Sequence, residues 1–124
     1  AKTCACGCAA RYDDCCGPVI AGEATSAEQL MRSRYTAFTS GAVDYLTTSW
    51  HPDHRPATIA FDPDVQWLGL EIVNVSAGGP EDLVGEVEFV ARFRREGQRA
   101  KLHERSRFER HDGRWVYVDG DLLS

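Results

Sequence analysis

Cys4, Cys6, Cys8, Cys15 and Cys16 are the only five cysteines in a chain of 124 residues, and all fall within its first sixteen positions. Cys4-x-Cys6 and Cys15-Cys16 form two close thiol pairs separated by eight residues. Thiolate sulfur is a soft ligand, and four sulfurs at tetrahedral corners, ~2.3 Å from the metal, are typical of structural zinc. Residues 1–20 carry little apolar material beyond small side chains and the cysteines themselves. Order in such a segment needs a cross-link or a metal. The expectation is one zinc ion held by Cys4, Cys6, Cys15 and Cys16, with Cys8 outside the coordination shell and Tyr12 lidding the loop. A filled shell leaves no position for substrate or water, so this metal would be structural and not catalytic.

The elements beyond the cysteines read as a separate body, dividing the chain into 1–20 and 21–124. Ser26 is suited to cap a helix, with Gln29 three residues on, and Leu30, Met31, Arg34, Tyr35 and Phe38 follow at helical spacing. A shorter helix is expected from about Ala42 to Ser49, before Pro52 and Pro56 interrupt regular structure. The period then changes to two. Strands are expected over Asp64–Ala77, Leu83–Arg95, Gln98–His111 and Arg114–Asp119, with turns at Gly78–Asp82, Glu96-Gly97 and Asp112-Gly113. Gly69 interrupts the first strand as a bulge or a close approach. Three hairpin connections imply an antiparallel meander in an α+β fold, with the helices buried against one face of a curved sheet. Strict alternation puts Val65, Trp67, Val73 and Val75 on one face of the first strand and Leu68, Leu70 and Ile72 on the other. Both faces then need cover, the second from the cysteine-rich segment, the linker or another subunit.

Charge narrows the range of partners. The net charge is −5, which disfavours non-specific attraction to nucleic acid or anionic lipid. Residues 62–88 contain seven acids and no Lys or Arg, whereas 92–114 contain nine Lys or Arg against four acids. Two readings arise: a basic nucleic-acid surface, or neighbouring strands pairing opposite charges on their outward faces. The second is preferred, so nucleic acid is not expected as a partner. No run of apolar residues is long enough to span a membrane. Thiols kept reduced or metal-bound suit a cytoplasmic setting.

Cys4-Ala-Cys6-Gly7-Cys8-Ala9-Ala10-Arg11-Tyr12-Asp13-Asp14-Cys15-Cys16-Gly17 resembles the SEC-C zinc motif, a short module best known from the C-terminus of the bacterial preprotein translocase ATPase. Ala5, Cys8 and Ala9 stand where that motif usually has Pro, Ser and Gly, and none of them is a proposed ligand. The rest resembles the bacterial YchJ-type, or UPF0225, family. The matching segments are Leu30–Phe38, Asp44-Tyr45-Leu46, Thr48–Pro52, His103–Phe108 and Gly113–Asp121. The resemblance implies a SEC-C knuckle joined to an NTF2-like domain, a cone in which helices wrap a curved antiparallel sheet. Such cones often enclose a pocket, and the side chains expected to reach it are Tyr35, Trp50, His51, Trp67, His103, Glu104 and Asp119.

Among these, His51 and His103 are the groups whose ordinary titration lies near neutrality. Glu104 shares a face with Leu102, Ser106 and Phe108, where a carboxylate calls for a cation such as Arg32 or Arg34. It is either a fold-locking ion pair or a pocket acid. No phosphate loop, nucleophile elbow, His-Glu-x-x-His helix or dinucleotide fingerprint is present. The preferred functional reading is a zinc-containing adaptor that binds a protein partner through its knuckle and pairs with a second copy through its sheet. A small-ligand binder or enzyme using the cone pocket is the alternative, with nucleic-acid binding third.

Overall fold

The computed structural model describes residues 15–21, 24–56, 64–79 and 81–123. Three helices, α1 (Cys16–Ala21), α2 (Ala27–Ser40) and α3 (Val43–Thr48), precede four strands, β1 (Val65–Ala77), β2 (Val84–Arg95), β3 (Gln98–His111) and β4 (Arg114–Leu122). Ser26 is extended, and its Oγ accepts the Gln29 N–H at 3.2 Å. Gln29 Oε1 in turn accepts the Thr25 N–H at 2.9 Å, a capping box that reaches one residue further back than usual. Gly41, with φ 74°, ends α2 in the left-handed conformation that favours glycine.

The strands form one antiparallel sheet in the order β1-β2-β3-β4. Glu96 and Gly97 (φ 52° and 82°) and Asp112 and Gly113 (φ 54° and 82°) make two-residue turns whose positive φ angles match the twist of the flanking strands. At the β1–β2 turn, Gly78 C=O accepts the Ala27 N–H at 2.9 Å, which pins the start of α2 to the sheet. A Cβ at Gly85 would sit 2.5 Å from Gly78 Cα, so this approach requires glycine.

β1 departs from strict alternation. Trp67 pairs with Phe93 and Gly69 with Arg92, which leaves Leu68 as an extra residue; Ile72 pairs with Phe89 and Asn74 with Glu88, which leaves Val73 as another. These two bulges bring Trp67, Leu70, Ile72 and Val75 onto one face, opposite Phe93, Ala91, Phe89 and Val87. The expectation of two apolar faces is corrected by that re-phasing. Leu68 and Val73 are 43% and 48% exposed, the consequence of being the inserted residues. The outward face instead carries charge pairs: Arg92 to Glu71 at 3.1 Å, His103 to Glu88 at 2.7 Å and Arg105 to Glu86 at 2.9 Å. The acidic and basic stretches of the sequence thus answer one another across β1, β2 and β3.

The curved cone is also corrected. The α+β composition and the meander are present, but the sheet is open, with β1 and β4 as its edges, and it neither closes nor curls around a lumen. Four strands are too few to enclose one, since about eight are needed for an interior that side chains just fill. α2 covers one face, and the core joins Leu30, Met31 and Tyr35 to Phe89, Phe108 and Trp115. Beyond α3 the chain runs briefly parallel to β4. Trp50 bridges Tyr117, the Tyr117 N–H donates to Ser49 C=O, and the His51 N–H donates to Tyr117 C=O, each bond 2.8 Å long.

Candidate functional site

Between α2 and the covered sheet face lies a recess of about 200 Å³. Its aromatic wall is built from Tyr35 and Phe38 of α2 and Trp67 of β1, with ring centroids 5.7 Å (Tyr35–Trp67) and 6.4 Å (Phe38–Trp67) apart. The bulge at Leu68 keeps Trp67 on this face together with Leu70. Trp50 and Tyr117 meet edge-on at 5.1 Å and form the other end.

Arg34 enters the recess from the apolar stripe of α2 and is only 4% exposed. Its Nη1 donates to Leu46 C=O at 3.0 Å and to Ser49 Oγ at 2.7 Å, so it satisfies a carbonyl that the last turn of α3 leaves without a helical partner. The guanidinium carbon lies 5.1 Å from the Trp50 ring centre and 4.8 Å from that of Tyr117, a cation held against two π faces. Burial lowers its pKa to about 10, and the group remains a cation at neutral pH. Nε and Nη2 have no hydrogen-bond partner among the described residues.

Glu104 lines the same recess. Its Oε2 accepts the buried Ser106 hydroxyl at 2.5 Å and, more distantly, the Tyr117 hydroxyl at 3.4 Å. A Cβ at Gly120 would lie 2.7 Å from the Glu104 carboxyl carbon, so the missing side chain there makes room for the carboxylate. Burial first, and the Glu104 charge second, push the Tyr117 phenol up to about 12, which keeps it a protonated donor. Of the two readings of Glu104, the fold-locking ion pair with Arg32 or Arg34 does not form. Arg32 turns instead to Glu28 at 2.9 Å, and Arg34 feels the Glu104 charge without contacting it.

Of the seven residues expected at a pocket, Tyr35, Trp50, Trp67 and Glu104 share this recess. His51 sits outside its lining and is 8% exposed, with Nδ1 accepting the Asp53 N–H at 3.0 Å and Nε2 2.9 Å from Glu109 Oε1. With Nδ1 accepting, Nε2 is the ring nitrogen that faces Glu109. His103 faces Glu88 on the outward side of the sheet, and Asp119 accepts from Arg107 Nε. Arg34, Ser106 and Tyr117 were not anticipated in the pocket. A lone cation within the apolar stripe of α2 was the signal for the first; the β3–β4 register, which brings Tyr117 beside Phe108, could not be read from spacing.

The zinc expectation is corrected. Among the described residues no group of three or more His, Cys, Asp or Glu is placed to hold a metal ion. Cys16 is 1% exposed at the start of α1, where it belongs to the core, and its sulfur accepts the Thr36 hydroxyl at 3.3 Å. Cys15 Sγ lies 3.9 Å from Cys16 Sγ, while Cys4, Cys6 and Cys8 fall outside the described residues. The zinc cofactor, the zinc-containing adaptor and a protein partner recruited through a zinc knuckle are left without support. The homodimer loses its motive because the bulges remove the second apolar face, and a ligand inside a closed cone has no cone to occupy. No helix among the described residues is long and apolar enough to cross a membrane.

A helical layer on one face of an antiparallel meander, with a recess between them, defines the class as NTF2-like, and a family model described as the YchJ middle NTF2-like domain matches residues 26–120. A UPF0225 protein of Streptomyces coelicolor is 48% identical over 122 residues, covering 97% of this chain and 95% of the relative. The solution structure of a SEC-C motif containing protein from Rhodopseudomonas palustris is similar with a TM-score of 0.83 and 37% identity, covering 98% of each chain. The crystal structure of another such protein, from Psychrobacter arcticus, has a TM-score of 0.76 and 25% identity over 99% of this chain and 84% of that one. The chain belongs to the UPF0225, YchJ-type family.

Proposed function

We propose that the recess between α2 and the sheet is a binding site for a small organic molecule with an apolar body and a polar head. The observation that carries this reading is Arg34, a buried cation without a contacting carboxylate, with two nitrogens left over at an aromatic-walled recess. A protein that buries a charge ordinarily pairs it. Here two π faces and one nitrogen's hydrogen bonds hold the guanidinium, and the remaining donors suit a ligand. The volume lies below the ~300 Å³ at which drug-sized pockets begin, which limits the occupant to about one ring system. The setting we assign is a reducing cytoplasm, which suits a chain with adjacent cysteines.

Fragment screening by protein-observed NMR tests the reading. Single-ring fragments with a hydrogen-bond acceptor should bind the parent chain and shift the indole N–H signals of Trp50 and Trp67. The same fragments should be lost by an Arg34→Met variant whose sheet amides remain dispersed. Fragments that bind both chains equally would remove Arg34 from the site and sink the proposal.

A further inference from the structure

Glu104 and Arg34 are opposite charges that line one recess and do not touch. In a packed core such a pair closes into a bidentate contact, because each group compensates the other's lost hydration. Here each is held back by its own partners. Arg34 is drawn to the end of α3 by Leu46 C=O and Ser49 Oγ and stacked on Trp50 and Tyr117. Glu104 is drawn to β4 by Ser106 and Tyr117, into the room left by Gly120. Both Ser106 and Tyr117 engage Oε2, so Oε1 has no partner among the described residues. What remains in the lining is a set of donors on Arg34, Nε and Nη2, and an acceptor on Glu104, Oε1, with a gap wider than an ion pair between the two groups.

We infer that this gap reads the edge of a neutral planar ring bearing a lactam-type C(=O)–NH group, its carbonyl accepting from Arg34 and its N–H donating to Glu104. The inference rests on the recess being a ligand site and names the ligand class. Charge decides against ligands that carry a single charge. An organic carboxylate would gain Arg34 but meet the Glu104 charge, and an amine would gain Glu104 but meet the guanidinium. A neutral donor–acceptor edge satisfies both, and a site built to bond an N–H discriminates strongly against an analogue that lacks it, because its own buried polar group is then left unpaired. The flat aromatic walls of Trp67, Tyr35 and Phe38 suit the ring itself.

The probes are 2-pyridone, N-methyl-2-pyridone and benzoate, titrated into the full chain while the Trp50 and Trp67 indole N–H signals are followed. The expected result is that 2-pyridone binds at least ~10-fold more tightly than either of the other two, a difference of about 1.4 kcal/mol. Glu104→Gln should reduce the preference over N-methyl-2-pyridone, and the ligand series on the parent chain stands as the test even where that variant folds poorly. If the two pyridones bind alike, or benzoate binds best, the lactam assignment is overturned while the recess remains a ligand site. If none of the three shifts either indole signal, both the assignment and the recess reading fall.

Discussion

Tyr117 joins the parts of the recess: its ring stacks on Arg34, its hydroxyl reaches Glu104, and its backbone pairs with Ser49 and His51. Burial, followed by the Glu104 charge, raises its phenol from 10.0 to about 12. A folded pKa above the unfolded one means that this group's contribution is fully present below about pH 10 and is lost as pH rises through about 12. Arg34 acts with the opposite sign. Its pKa is lowered from 12.5 to about 10, so the cost of burying its charge is present at low pH and relieved as pH climbs through that interval. Tyr45 is also raised by burial, so Tyr45 and Tyr117 should both ionise late. Tyrosinate absorbance should therefore lag a model-compound curve above pH 10, and Tyr117→Phe should remove one late ionisation. A variant curve that loses an ordinary ionisation instead would show that Tyr117 is not sealed against Glu104.

At the scale of elements, the docking of α2 on the β1–β2 turn sets the height of the helix over the sheet, and with it the recess. Gly85 and Gly78 permit that approach. Gly85→Ala should cost about 1–3 kcal/mol, because the added methyl meets backbone that cannot yield. Gly69→Ala, where an added Cβ meets nothing within 4 Å, should stay within about 0.5 kcal/mol of the parent chain. Urea denaturation of the two variants measures the contrast, and equal losses would refute the close-packing account. Gly69 also shows how far the sequence was legible. A glycine inside a strand signalled a bulge, and one is present, but the unpaired residue is Leu68, and nothing in the pattern announced the second bulge at Val73. Strict alternation consequently put Leu70 and Ile72 on the wrong side of Trp67. The cap at Ser26 and the Glu96-Gly97 and Asp112-Gly113 turns were readable because their causes lie within a few residues. The position of Arg34 at the site depends on Tyr117, some eighty positions away, and no local signal encodes that meeting.

Across the whole molecule, α1 spans the boundary drawn at residues 20 and 21, and it packs with α2 through Cys16, Val19 and Ile20. The cysteine-rich segment thus ends inside the helical layer, with one of its thiols serving as core. The two sheet edges differ. β4 is partly screened by the strand-like passage at Trp50, whereas among the described residues β1 pairs only with β2. A long outer strand with a regular row of unpaired amides and carbonyls invites another chain to zip onto it. Leu68 and Val73 break that row in two places, so the residues that re-phase β1 also make it a poor template for growth. Deleting Leu68 would leave Trp67 and Gly69 as consecutive partners of Phe93 and Arg92, with every inward side chain retained. The shortened chain should fold, yet its light scattering should rise more steeply with concentration than that of the parent. If the two chains scatter alike at every concentration, the irregularity protects nothing; if they diverge, solubility in this protein depends on one residue that the strand does not need for pairing.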